Sequence, residues 1–279
     1  MVSEIHIHGD AIEIARLTNK QPLVTTCLGE VLPGVSRVYP AINKRKTHIL
    51  DVSCGPGGWM VECAQTYKNA CIVGVDTREA MVRCAAIRSK VLPHLSVFHL
   101  ASYTDFALFQ DASFDIISLH CAQLPLSYQQ WIHLLQEGKR LLKKGGWIRL
   151  TAFEYARSNA PTLNTWNELE GQMEGAAQNF SHALQSQLYE LEPLVAANFW
   201  ETVLIPHLIN FSYGTPIHKG WTQDLLLQAQ QRLPFMAQRH IITHEYISPF
   251  LHQMHLDFAR PTFHAIHYGM TVWGRKEKK

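Results

Sequence analysis

A chain of 279 residues, 47% hydrophobic and 17% charged, fits one large domain or a core with an added cap and carries enough apolar side chains to bury it. Its formal net charge of +2 argues against a dedicated nucleic-acid binder, whose surface shows a strong basic excess. The six cysteines form no CxxC pair, no apolar run reaches membrane-span length, and MVSEIHIHGD is neither a basic leader nor an apolar one, so a soluble, reduced, cytoplasmic protein is expected.

The first pattern is helical, over 10–32, with Ile12, Ile14, Ala15 and Leu17 before Pro22, which should break it. After the basic run Lys44-Arg45-Lys46, a solvated loop, strand and helix signals alternate. THILDV (47–52) reads as a short buried strand. It runs into CGPGG and a helix where Met60, Cys63, Ala64 and Tyr67 recur at i, i+3, i+4 and i+7. ACIVGVD (70–76) is the second strand, followed by a helix through Arg88. LSVFHL (95–100) is the third, and FDIISLH (114–120) the fourth, apolar enough to be covered on both faces. Ser127 caps a helix whose Trp131, Leu134, Leu135, Leu141 and Leu142 share a stripe; Gly145-Gly146 ends it, and WIRLTAFE (147–154) is the fifth strand.

Residues 156–200 turn polar and helical, which is long for a connection. VLIPHLINFSYG (203–214) returns to strand character, and a helix follows near 222–233. Ser248-Pro249 reads as the N-cap and first-turn pair of another helix carrying Leu251, Met254 and Phe258. In the final stretch, FHAIHYGMTVWG (263–274), Ile266, Tyr268, Met270 and Val272 alternate as one face of a half-buried strand. Seven strands spaced by helices describe a doubly wound, mostly parallel α/β sheet.

The chemistry is concentrated in CGPGG. Backbone N–H groups at such a turn, with the positive end of the following helix, usually receive a phosphate. Two residues oppose that here. Counting from Gly55 and Gly57, Met60 falls where the dinucleotide fingerprint has its third glycine, and Asp51 sets a carboxylate at the strand tip. An acid there repels a pyrophosphate and favours a ligand with a positive end. S-adenosylmethionine has a sulfonium, an amino group and no phosphate.

HILDVSCGPGG resembles motif I of the class I S-adenosylmethionine-dependent methyltransferases, an acid followed by GxGxG. GVDTREAM then ends the second strand with Asp76, 76 − 51 = 25 positions on. The resemblance spans about 47–154 and implies a Rossmann-like methyltransferase fold with an antiparallel last strand. It also implies a cofactor site of Asp51, Ser53, Gly55, Gly57 and Asp76, with Asp76 accepting both ribose hydroxyls and Thr77, Arg78 and Met81 flanking the adenine. Two departures stand out: Ser53 replaces the first glycine, and HLASYTDF lacks the usual Gly-Asp-Ala, leaving Ser102, Tyr103 or Asp105 for the adenine contact. On this reading 1–46 is a helical lead-in covering the cofactor, 47–155 the cofactor-binding core, 156–200 a helical cap insertion and 201–279 the C-terminal part of the core sheet.

Methyl transfer needs an attacking atom held about 3 Å from the methyl group and sheltered from water. A hydroxyl acceptor also needs a base. The candidates are His120, Glu154 and Tyr155, which follow strands four and five, and His207 on a later strand. Each has a plainer role open to it, His120 in positioning and Glu154 as a helix cap or partner of Arg157. Trp166, Met173, Phe180, Phe199 and Trp200 either pack the cap or line an apolar acceptor pocket. The 16 histidines do not gather at metal-ligand spacing, so no metal is expected. The expected function is methyl transfer to O, N or C of a small organic, aromatic or natural-product acceptor by a monomer or homodimer, without nucleic-acid or membrane partners. The alternatives are a fold relative that binds S-adenosylmethionine without methyl transfer (a ring-forming enzyme or a binding scaffold), an RNA methyltransferase, or a nicotinamide dehydrogenase, which Asp51 and Met60 disfavour.

Overall fold

The computed structural model describes residues 2–92, 94–120, 124, 126–175 and 188–277. Among them, no helix is long and apolar enough to cross a membrane. Eight strands form one sheet: β1 (Thr47–Val52), β2 (Ala70–Asp76), β3 (Leu95–His99), β4 (Phe114–Leu119), β5 (Leu142–Phe153), β6 (Arg157–Ser158), β7 (Glu201–Asn210) and β8 (Ala265–Arg275). The order is β3-β2-β1-β4-β5-β8-β6, with β7 also paired to β8. β1 to β5 are mutually parallel, and β8 runs antiparallel to β5, β6 and β7. The sequence predicts seven strands; the eighth is the two-residue β6, too short to leave a periodic signal.

β1 and β4 are apolar and almost wholly buried because helices cover both faces. On one face Leu50, Ile117, Ile148, Leu150 and Val272 pack against Trp131, Leu134 and Leu135 of α5 (Tyr128–Leu141) and against Leu191 and Val195 of α7 (Leu191–Ala196). On the other, Ile49, Ile116, Trp147 and Trp273 meet Leu32, Val35 of α2 (Val35–Val38), and Trp59, Met60 and Cys63 of α3 (Gly58–Thr66). α4 (Glu79–Ser89) joins β2 to β3. A third cluster gathers Val24 of α1 (Val2–Leu28), Trp166 of α6 (Pro161–Gly175), Leu225 and Leu233 of α8 (His218–Gln238) and Phe250 and Met254 of α9 (His244–Ala259) around Phe211 and Phe263.

Three turn signals are overridden. α1 runs past Pro22, where a break is expected. An interior proline costs a helix about 3 kcal/mol, but this helix is fastened on several sides. Arg16 and Lys20 reach Asp224 at 2.6 and 2.7 Å, Gln21 and Thr25 reach Glu62 at 3.1 and 2.5 Å, and Arg88 donates to Thr18 at 2.9 Å. α9 starts at His244, so Pro249 lies inside it rather than at its first turn. α5 ends at Leu141, and Gly145 (φ 73°) lies inside β5 instead of ending the helix. A Cβ on Gly146 would stand 2.9 Å from the Asp115 carbonyl, beside the point where the β4–β5 register shifts. In β8 the alternating apolar face is the less covered one: Tyr268 is exposed, while Thr271 and Trp273 on the opposite face are buried.

Burial lowers His207 and His267 to about 4, the first aided by Arg149. His267 Nδ1–H donates to the Glu154 carbonyl at 2.9 Å, and its ring stacks on Phe211. Between the ordinary histidine value near 6.5 and about 4, the unfolded chain therefore binds more protons than the fold, and stability falls as pH falls. The urea midpoint is expected to drop from pH 7.5 to 5 and to drop less in His267→Gln, which keeps a side-chain donor. A midpoint level across that range contradicts the assignment.

Candidate active site

Asp51, next to last in β1, is in register with Gly74 of β2 and Ser118 of β4, and Ser118 is in register with Arg149 of β5. In-register neighbours share a face of the sheet, so Asp51, Ser118 and Arg149 form one polar row at the carboxyl ends of the strands. Asp51 is 1% exposed, and its Oδ1 has no hydrogen-bond partner among the described residues. Burial holds its carboxyl well above the usual range, Arg149 pulls it back, and Asp76 adds to the rise. A buried carboxylate in this position is satisfied by a cation that brings N–H donors.

The chain after Asp51 turns tightly. Ser53 (φ 63°), Gly55 (φ 53°) and Gly57 (φ 82°) all adopt left-handed backbone. That conformation costs a non-glycine residue about 1 kcal/mol or more, so Ser53 holds strain in the place where the motif has its first glycine. Gly57 leads into α3, and a Cβ there would stand 3.0 Å from the Cβ of Ala85. Met60 is 1% exposed and lies over Gly74, where any Cβ would overlap its sulfur. The missing third glycine is thus compensated by a glycine on the facing strand.

A cavity of about 580 Å³ opens over this turn, within the range of about 300–1,000 Å³ typical of small-molecule sites. Asp51, Ser53, Gly55, Thr77, Arg78 and Tyr103 line it, together with Trp59 and His120. Burial raises the Tyr103 hydroxyl above its usual range, and Ser53 and Thr77 beside it pull it back. α1 supplies Glu13, Arg16, Leu17, Lys20, Gln21 and Val24, one helical face at i, i+3, i+4, i+7, i+8 and i+11. α8 adds Gln228, Arg232 and Phe235, followed by Arg239, and α6 adds Met173.

Several predicted residues stand one layer back. Asp76 is 0% exposed; its Oδ2 accepts Gly55 N–H and its Oδ1 accepts Arg78 N–H, each at 2.9 Å, so it ties the two loops together. Met81 is 0% exposed, and neither it nor Gly57 reaches the cavity wall. Ser102 bonds Thr104 and Asp105 accepts from Ala107 N–H, which leaves Tyr103 as the residue of that segment in the wall. Glu154, Tyr155 and His207 are absent from the wall, unlike His120. Glu154 pairs through its backbone with Tyr268 and His267, and His207 Nε2 lies 2.8 Å from Thr271 Oγ1.

Of the cap residues, Met173 reaches the cavity, Trp166 and Phe199 are packed, and Trp200 is 74% exposed at the surface. Phe180 lies outside the described residues. Trp59, Arg149 and the α8 side chains escaped sequence reasoning. The α1 and α8 faces were detectable only as polar positions at helical spacing. No three His, Cys, Asp or Glu gather as metal ligands among the described residues.

Residues 49–146 match the family model described as "Methyltransferase domain". No curated protein matches the chain. Among solved structures it is similar to phosphoethanolamine N-methyltransferase 2 of Haemonchus contortus, in complex with phosphomonomethylethanolamine and S-adenosylhomocysteine, at 15% identity and a TM-score of 0.54, over 87% of this chain and 51% of that one. The chain therefore spans about half the length of that relative. It is also similar to the YcgJ protein of Bacillus subtilis (19% identity, TM-score 0.52, 84% and 94% covered) and to MccD protein (18%, 0.51, 87% and 95%). The fold is the Rossmann-like methyltransferase fold.

Asp76→Ala strips the partners from two loop N–H groups. It should lower the melting temperature and weaken S-adenosylhomocysteine binding by about 1.5–3 kcal/mol, read by thermal denaturation and calorimetry. Unchanged affinity in a folded variant refutes the role.

Proposed function

We propose that the protein binds S-adenosylmethionine over the Asp51 turn and transfers its methyl group to O, N or C of a small molecule held in the same cavity. The observation that carries this reading is Asp51 in the cavity wall, its buried Oδ1 without a partner among the described residues. It suits the ammonium of the cofactor's methionine end and repels a pyrophosphate. Tyr103 and Thr77 stand at the end of the site where the adenosine belongs, next to the Asp76-bound loop. The bound cofactor supplies an electrophilic methyl group, and the chain's task is to orient an acceptor and exclude water. α1, α8 and Met173 close the other side, which favours an enclosed small molecule over a nucleic-acid strand.

Thermal denaturation with S-adenosylhomocysteine, NAD and NADP separates the readings; a ligand at 100 times its Kd stabilises the fold by about 2.7 kcal/mol. Stabilisation by S-adenosylhomocysteine is expected, with its release on incubation with S-adenosylmethionine and a panel of small acceptors. Stabilisation by a nicotinamide cofactor alone overturns the proposal. Cofactor binding with no release across the panel assigns the chain to cofactor-binding proteins that do not transfer methyl groups.

A further inference from the structure

The carboxyl ends of β4 and β5 carry a polar network that methyl transfer does not by itself require. Arg149 is 0% exposed. Its Nε and Nη2 donate to Thr151 Oγ1 at 3.2 and 3.0 Å, its Nη1 to Ser118 Oγ at 3.2 Å, and its Nη2 to His120 Nδ1 at 2.7 Å. Thr151 Oγ1 continues to Thr271 Oγ1 at 2.8 Å, which meets His207. The guanidinium lies 5.6 Å from the Trp59 ring, itself anchored by an Nε1–H bond to the Val31 carbonyl at 2.9 Å. Held on several sides, Arg149 has one geometry to offer His120.

A guanidinium only donates hydrogen bonds. His120 Nδ1 must therefore accept, which leaves the proton of the neutral ring on Nε2. That Nε2 is buried, has no partner among the described residues, and belongs to a side chain in the cavity wall. The ring plane is fixed as well, stacked on Trp59 at 5.9 Å and 22°. A second proton would set an imidazolium against the guanidinium, and burial and Arg149 both hold His120 well below the usual range. The other charged groups of the cavity are Asp51 on β1, Glu13, Arg16 and Lys20 on α1, Arg78 after β2, and Arg232 and Arg239 on and after α8. Of these, Arg16 is already paired with Glu13 and Asp224, Lys20 with Asp224, and Arg232 with Glu170.

We propose that Arg149 is a positioning residue that holds His120 as a neutral Nε2–H donor, and that the methyl acceptor presents to this donor an anionic oxygen of a carboxylate or phosphate. The first half stands on the chain's own geometry; the second rests on the proposed function. His120 then binds and orients, and it removes no proton. The sequence-based candidacy of His120 as a base gives way to a role in recognition.

The test is nitrogen-15 NMR of the full chain labelled at histidine, with and without S-adenosylhomocysteine, using His120→Gln to assign the signal. His120 is expected as the Nε2–H tautomer from pH 5.5 to 8, without titrating. In Thr151→Val or Arg149→Lys, whichever is folded by circular dichroism, it should mix tautomers or titrate. An Nδ1–H tautomer, titration in the wild type, or an unchanged His120 in a folded variant overturns the positioning role. Should both variants unfold, the wild-type tautomer and titration still decide. In the S-adenosylhomocysteine complex, millimolar benzoate and inorganic phosphate are then titrated separately, and the His120 Nε2–H signal should shift saturably with one of them. The responding anion distinguishes a carboxylate-bearing from a phosphate-bearing acceptor; no response to either overturns the anionic-acceptor half. A chain that fails to bind S-adenosylhomocysteine but keeps the tautomer defeats the proposed function and spares the Arg149 role.

Discussion

The structure is organised around a carboxylate buried at the carboxyl end of β1. Asp51 is 1% exposed, shares its face of the sheet with Arg149 two strands away, lines the cavity, and has an oxygen without a partner among the described residues. Keeping an ionised acid there is costly without a partner. Burial answers by raising its proton affinity, and a cationic ligand is the partner that relieves the cost. The glycine turn beyond it brings α3 into place, and Asp76 beneath holds the two loops by their N–H groups. The acid and the turn work as one unit.

The other half of the cavity comes from far along the chain. α1 precedes the sheet and α8 follows β7, yet they meet through Arg16, Lys20 and Asp224. Arg16 is raised by its two carboxylate partners against the cost of burial, so these contacts bind the helices by charge. The apolar cluster around Phe211 and Phe263 backs the same helices.

The parallel strands were legible because burial on both faces leaves continuous apolar runs such as FDIISL and THILDV. The turn was legible because an acid, glycines and a second acid at a fixed interval have few other uses. Helix limits were less so. Pro22, Pro234 and Pro249 all sit inside helices whose tertiary contacts outweigh the local cost. Arg149 was invisible for another reason: one arginine in WIRLTAFE reads as a solvent-facing position, and only the register with Ser118 places it inside the sheet. His120 was found by position, but its contact with that arginine at 2.7 Å was not legible. The wall residues of α8 were missed because their approach to β1 is set by long-range packing.

The most direct measurement is calorimetry of S-adenosylmethionine binding in buffers of different ionisation enthalpy, with Asp51→Asn alongside. Because burial raises Asp51 above the usual carboxylate range, a cationic ligand should expel its proton. Affinity then rises with pH through that range, protons are released on binding, and both effects vanish in Asp51→Asn together with about 1.5–3 kcal/mol of binding energy. Equal affinity and equal proton release in the two proteins would contradict the account.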